Sequence, residues 1–309
     1  MSLMNGWQYA ATAGGIEKHL RLKDDIPQPS SDNLFHDQVL IETIYVALNP
    51  ADFKGPEGRF FTMLNLRLPA TPGYDFCGRV KAVHPSNDLF KPGDLVFGNL
   101  GHPRTHGTLA QYFIAYQNYC ARVPEGLSLE DAAAIPSAAM AAYKYLAPFV
   151  KSGQNVFING GSGGVGTFAI QIARILGAGV TVSCSTSNVE FCRGLGAQVI
   201  DYTKGDLIDL LQEHGQMFDH VVDNVGATPE LYSHAHLFTK PEARISQVRA
   251  TTIKGVIVIY SQLVPAFLGG SQRPTSIVLG FPNREDLTLL ANWVAEEKIS
   301  INIDAKFSF

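Results

Sequence analysis

At 309 residues the chain is long for a single core, and two domains are the natural expectation. With 46% hydrophobic and 17% charged residues and a net charge of −4, nothing favours a nucleic-acid or anionic-membrane partner. No apolar run reaches the length of a membrane span, and the first residues lack the basic-then-apolar pattern of a secretory signal.

Up to about Val123 the chain reads as β-rich. Val39 to Ala47, Gly78 to Val83 and Ala110 to Ile114 alternate or run apolar between Gly/Pro turns. Lys91-Pro92-Gly93-Asp94 is a turn feeding Leu95 to Gly98. Ser128 then caps a helix with acids in its first turn. The alanine-rich stretch Ala132 to Leu146 holds one or two helices broken at Pro136. From Asn155 the pattern alternates strand and helix. Strands are predicted at Val156–Ile158, Val180–Cys184, Gln198–Ile200, His220–Asn224, Arg244–Val248 and Val256–Tyr260, which makes a parallel sheet with crossover helices. A last capped helix begins near Asn283. The four cysteines (Cys77, Cys120, Cys184, Cys192) form no C-x-x-C pair; Cys77, Cys120 and Cys184 lie in apolar strand-like runs and read as core thiols, and the set points to a reducing cytoplasm.

The most informative stretch runs from Val156 to Gly166. A short apolar strand, a glycine cluster and an apolar-periodic helix place Gly161, Gly163 and Gly166 in the G-x-G-x-x-G pattern. Gly161 is expected to allow the turn, Gly163 to let backbone approach a pyrophosphate, and Gly166 to let helix and strand pack closely. Ser162, Gly164 and Val165 complete a loop whose N–H groups open a helix and suit phosphate.

The second strand bears on which dinucleotide. NAD sites usually carry an acid about 20 residues beyond the glycines. Between Thr167 and Val189 there is none, and the strand ends in Ser185-Thr186-Ser187-Asn188, a row of hydroxyl and amide donors. That favours NADPH. Tyr202 adds a further hydroxyl, or packs as a loop aromatic. No Lys or Arg lies in the turn, and Arg193 is the nearest base.

Several motifs, in order, resemble the medium-chain dehydrogenase/reductase superfamily in its zinc-free quinone oxidoreductase and enoyl reductase branch. They are Asn49-Pro50-Ala51-Asp52-Phe53-Lys54, Pro72-Gly73-Tyr74-Asp75-Phe76-Cys77-Gly78, Lys91 to Gly98, Ala132 to Pro136 and Gly160 to Gly166. Asn283 to Asp286 and Ile303 to Phe307 look closest to fungal members. The resemblance implies a Rossmann doubly wound parallel sheet (residues 124–278) plus a β-rich GroES-like barrel substrate domain (1–123, completed by 279–309). It also implies a further helix and strand beyond Phe309. Zinc-dependent relatives hold metal with a Cys and a G-H-E, where this chain has Asn49 and Gly73-Tyr74-Asp75. His102 and His106 read as loop surface rather than as a metal pair.

The implied activity is hydride transfer from NADPH to an activated C=C bond of a small hydrophobic electrophile, held in a cleft between the domains. Quinone reduction and a non-catalytic NADPH-binding role stay open beside it. Lys54, Tyr74 and Tyr143 are the candidate donors to the developing enolate. Lys54 also reads as a phosphate or ribose ligand, and Asn49 as a nicotinamide or ribose ligand. Asp52 is a further cofactor-side candidate, or orders its own loop. Asn224, Val225 and Val248, at later strand ends, complete the cofactor set. The tyrosine donor of mitochondrial-type relatives is replaced here by Phe60, and a pocket threonine by Ala141. A homodimer is implied through the Rossmann sheet edge near Val256 to Tyr260.

Overall fold

Alternation builds the first sheet. In Tyr112–Tyr116 the side chains of Phe113 and Ala115 are buried while their neighbours are half-exposed, as expected of a strand with one face on a core. A computed structural model of the protein describes residues 2–57, 66–101, 105–247, 264–265, 268, 270–277 and 282–309. The chain forms two compact units, Met1–Met140 with Phe281–Phe309, and Ala141–Gly280.

In the first unit β1 (Leu3–Tyr9) and β2 (Leu20–Pro27) form an antiparallel pair. A five-stranded antiparallel sheet follows, built from β3 (Gln38–Tyr45), β4 (Asp75–Val83), β5 (Leu95–Asn99), β6 (Tyr112–Tyr116) and β7 (Cys120–Arg122), in the order β6-β3-β4-β5-β7. Val39, Ile41, Phe76, Val80, Val96 and Phe113 form its core. Helix α1 (Pro50–Glu57) sits between β3 and β4. Then come α2 (Leu129–Ala134), capped by Ser128 accepting from Asp131 N–H at 3.0 Å, and α3 (Pro136–Leu146), whose residues from Ala141 on belong to the second unit. Pro136 occupies the first position of α3, where its missing N–H costs nothing. Late in the chain Asn283 caps Arg284–Ala295, accepting from Asp286 N–H at 2.8 Å.

The second unit is a six-stranded sheet of β8 (Asn155–Asn159), β9 (Gly179–Cys184), β10 (Gln198–Asp201), β11 (Phe218–Asp223), β12 (Thr239–Gln247) and β13 (Thr275–Ile277), with every pairing parallel. The order is β10-β9-β8-β11-β12-β13. Counted within the unit this is 3-2-1-4-5-6, the doubly wound arrangement. The crossovers use α4 (Gly164–Ile175), α5 (Val189–Gly194), α6 (Leu207–Gln212) and α7 (Glu230–Ser233). Val156, Phe157 and Ile158 are fully buried, as a central parallel strand requires. Strand order reverses between β8 and β11, so the crevice at their carboxyl ends is where such a sheet takes a ligand.

The sixth strand expected at Val256–Tyr260 lies outside the described residues. So do Val248, Phe60, His102 and most of the expected dimer edge. Among the described residues no helix is long and apolar enough to cross a membrane.

Candidate functional site

The loop after β8 is set by one left-handed turn and two close approaches. Gly160, not Gly161, takes the left-handed turn, with φ +84°. A Cβ on Gly161 would stand 2.5 Å from Val182 Cβ, so that glycine answers to packing against β9 rather than to the turn. This corrects the expectation for Gly161: with two glycines adjacent, the first makes the reversal. A Cβ on Gly166 would overlap Gly160 O and stand 2.6 Å from Gly161 O, so this glycine lets α4 pack closely on the loop that follows β8 rather than on the strand itself. At Gly163 the nearest atom is Gly160 O at 3.8 Å, leaving open space beside the backbone. Gly163 is the N-cap of α4, exposed and without a side-chain cap, and Ser162, Gly164 and Val165 surround it. This is an uncovered cradle of amide donors.

A buried network links this loop to the end of β11. Gly160 N–H donates to Ser183 Oγ (3.0 Å), Ser183 Oγ donates to Asn159 Oδ1 (2.6 Å), and Asn159 Nδ2 donates to Asp223 Oδ1 (2.9 Å). The same Oδ1 accepts from the N–H groups of Val225 and Gly226, each at 3.1 Å, and Tyr232 OH donates to Oδ2 at 2.7 Å. Burial, and then the Asp223 charge, push the Tyr232 phenol far up, so it stays a donor. Asn224 lies between these anchored groups. Its Nδ2 and Oδ1 are both buried and have no partner. An orphaned amide beside an open glycine cradle fits a bound dinucleotide. Val225, beside it, is 52% exposed.

At the end of β9, Ser185 Oγ and Ser187 Oγ stand 3.1 Å apart, and Asn188 Nδ2 donates to Ser185 Oγ. Thr186 donates its hydroxyl to Asp201 Oδ2 at 2.6 Å. Sequence reasoning missed Asp201, which is distant in the chain but adjacent in the sheet, where it pairs with Cys184. The hydroxyl of Thr186, joined by Thr203, holds the Asp201 carboxyl below its ordinary range. Tyr202 is half-exposed, with its N–H on Cys184 O. Arg193 pairs with Glu190 at 2.7 Å.

In the first unit Asp75, at the start of β4, is buried among neutral donors. Asn49 Nδ2 (2.9 Å) and Ser137 N–H (2.9 Å) donate to Oδ2; Asn99 Nδ2 (2.6 Å) and Ser137 Oγ (2.8 Å) donate to Oδ1. Burial raises the carboxyl to about 6 against the pull of these bonds. Asn99 faces Asp75 across the β4–β5 ladder, and Ser137 arrives on α3; neither was singled out from sequence.

Asp52 accepts from Asn49 N–H at 2.6 Å and so orders the turn into α1. Its Oδ1 is buried without a partner, and burial raises its carboxyl to about 7. It lines a cavity of about 10 Å³, room for about one water, with Tyr9, Thr71 and Tyr74. The Tyr74 hydroxyl lies over α1, 3.6 Å from where a Gly55 Cβ would stand. Burial, then the Asp52 charge, raises the Tyr74 phenol. Lys54 is exposed on α1, its Nζ 6.0 Å from the Phe53 ring centre. Tyr143 is half-buried on α3.

A catalytic zinc does not fit these residues. Asn49 and Tyr74 stand where the resemblance would put ligands, and Asp75 is already satisfied by neutral donors. Among the described residues no three His, Cys, Asp or Glu side chains converge on a possible metal position. His106 is exposed, as expected of loop surface, and partial desolvation of its ring lowers its pKa.

Comparison with known proteins agrees with this architecture. The alcohol dehydrogenase GroES-like domain family matches residues 36–125, and the zinc-binding dehydrogenase family matches 164–266. A trans-enoyl reductase of Aspergillus terreus is 41% identical over 99% of this chain and 89% of its own length. An NADPH-dependent alkenal/one oxidoreductase of Arabidopsis thaliana is 34% identical over 71% of this chain and 57% of its own length. The solved quinone oxidoreductase from Coxiella burnetii superposes with a TM-score of 0.84 at 31% identity, covering 98% of this chain and 91% of that one. A pyridine nucleotide is therefore the cofactor class.

Proposed function

The chain belongs to the medium-chain dehydrogenase/reductase superfamily, and from that premise we propose that it is an NADPH-dependent, metal-free reductase of activated C=C bonds. The acceptor is an enal, an enone or an enoyl thioester. The observation that carries the reading is the Asp75 cluster, where Asn49, Asn99 and Ser137 saturate the one carboxylate at the place a metal would take. The similarity to a trans-enoyl reductase and an alkenal/one oxidoreductase supports it.

When bound, the nucleotide supplies a hydride to the electron-poor β-carbon of the acceptor. The residues of the chain do the rest. Gly161 to Gly166, Asn224 and Val225 hold the pyrophosphate and ribose, with Val248 further along. Ser185, Thr186, Ser187, Asn188 and Tyr202 surround the 2′-phosphate with hydroxyl and amide donors; no carboxylate stands on the end of β9 itself. Asn49, which donates to Asp75, is the residue proposed as a ribose or nicotinamide ligand. Lys54, Tyr74 and Tyr143 are the donors proposed for the enolate oxygen; the proton reaches the α-carbon from one of them or from water. Asp52 acts by ordering the Asn49 turn.

Quinone reduction is the second reading. Phe60 in place of the tyrosine donor of mitochondrial-type relatives favours it, since a quinone needs no placed acid. Four buried free thiols suit a reducing cytoplasm. A homodimer through residues 256–260 belongs to the same proposal, and sedimentation of the free protein checks it.

Turnover of a 2-enal, a 2-enoyl thioester, an enone and a p-quinone, each with NADPH and with NADH, tests the reading. Alkene turnover preferring NADPH supports it. Turnover of the quinone alone replaces it with the second reading. Alcohol oxidation that needs zinc contradicts both.

A further inference from the structure

We propose that Asp223 is a positioning residue for the nucleotide, setting both walls of the crevice where strand order reverses. The proposal rests on the reading above only in requiring that a nicotinamide nucleotide binds this unit.

Asp223 ends β11 and Asn159 ends β8, and the two residues are register partners across the reversal point. Each is the last residue of its strand before a candidate binding loop. Through Asn159 and Ser183 the carboxylate fixes the N–H of Gly160, the residue that makes the left-handed turn. Ser183 also accepts Gly161 N–H on its backbone carbonyl at 2.9 Å. Through its own Oδ1 the carboxylate fixes Val225 and Gly226 N–H and so holds the loop carrying the orphaned Asn224 amide. One fully buried side chain thus sets the glycine loop on one side and the Asn224 loop on the other.

A buried carboxylate needs hydrogen-bond donors at both oxygens. Here four neutral donors supply them: Asn159 Nδ2 and two backbone N–H groups on Oδ1, and Tyr232 OH on Oδ2. Tyr232 donates only to Oδ2 and touches neither loop through that bond. Its hydroxyl therefore holds the carboxylate's orientation from behind. Removing it frees Asp223 to rotate, and both loops lose their reference together. The chemistry is acceptor-specific: an asparagine at 223 keeps one acceptor and presents a donor to the other partners.

The test uses the full chain with Tyr232→Phe as the primary variant, Asp223→Asn as the second, and NADPH as the probe. Nucleotide dissociation constants come from fluorescence titration, and nucleotide KM and kcat from acceptor turnover. Tyr232→Phe is expected to raise the nucleotide Kd and KM about tenfold, equivalent to about 1.4 kcal/mol, with kcat at saturating nucleotide unchanged. Asp223→Asn is expected to raise both further. Loss of melting temperature with unchanged nucleotide Kd and KM in Tyr232→Phe would mean a purely structural role and overturn the proposal. If Asp223→Asn does not fold, Tyr232→Phe alone decides. Tight binding by the wild type and by Tyr232→Phe alike overturns this proposal and leaves the function standing. No binding by the wild type overturns both.

Discussion

Gly163 and Gly166 answer to different demands, and one alanine at each separates them. At Gly166 a methyl would overlap Gly160 O and crowd Gly161 O, both backbone atoms, so relief requires α4 to move off the loop. Overpacking of this kind costs roughly 3 kcal/mol. At Gly163 the nearest atom is 3.8 Å away, and φ −78°, ψ 168° suit any residue. The N-cap preference lost and the unfolded-chain freedom removed offset one another to within about 0.5 kcal/mol. The methyl would instead fill the space through which a pyrophosphate reaches the amides. Urea unfolding and nucleotide titration of both variants read the two effects. Gly163→Ala is expected to keep wild-type stability and lose at least about tenfold in nucleotide affinity, about 1.4 kcal/mol. Gly166→Ala is expected to lose stability. Wild-type affinity in Gly163→Ala would refute the reasoning, because the loop would then be a structural turn.

Further outcomes are expected. The Asp52 carboxyl, raised from 3.8 to about 7, binds its proton more tightly in the folded chain. Its contribution is fully present below pH 3.8 and lost as pH rises through about 7. At about 1.4 kcal/mol per pH unit of that interval, the loss is at most about 4 kcal/mol. Asp52→Asn should therefore gain stability relative to wild type between pH 5 and pH 8; a pH-independent difference in unfolding free energy would contradict the burial argument. Asp201→Asn removes a negative charge beside the hydroxyl row at Thr186 and is expected to tighten NADPH a few-fold while leaving NADH unchanged; equal shifts for both nucleotides would place the 2′-phosphate elsewhere. Dialysis against a strong chelator is expected to leave turnover unchanged, and loss restored by zinc would reverse the reading of the Asp75 cluster.

Local signals carried much of the fold. The strand, glycine loop and helix from Asn155 to Ile175 were readable because a buried parallel strand is continuously apolar and α4 has helical apolar spacing. The break at Pro136 was readable because proline suits a first helical position. By contrast β2 was hidden: five consecutive residues, Arg21 to Asp25, are exposed, so no alternation marks it. Strand β13 has only three residues and follows a turn, too short for a period. At the site, the glycines were legible because their spacing is local. The partners of Asp75 lie 24, 26 and 62 residues away, and those of Asp223 reach 64. Only strand order brings such groups together. Asp201 escaped for the same reason, since it is one strand over rather than on the strand inspected. The polar residues ending apolar strands, Asn159 and Asp223, were the available clue.

The most direct single measurement follows the hydride. NADPH deuterated at its transferable C4 position is turned over with a 2-enal in ordinary water, and the product is read by NMR. Deuterium on the β-carbon, with a solvent proton on the α-carbon, is the predicted result. Deuterium on the carbonyl carbon of an alcohol product, or no transfer to any acceptor, would contradict reduction of the double bond.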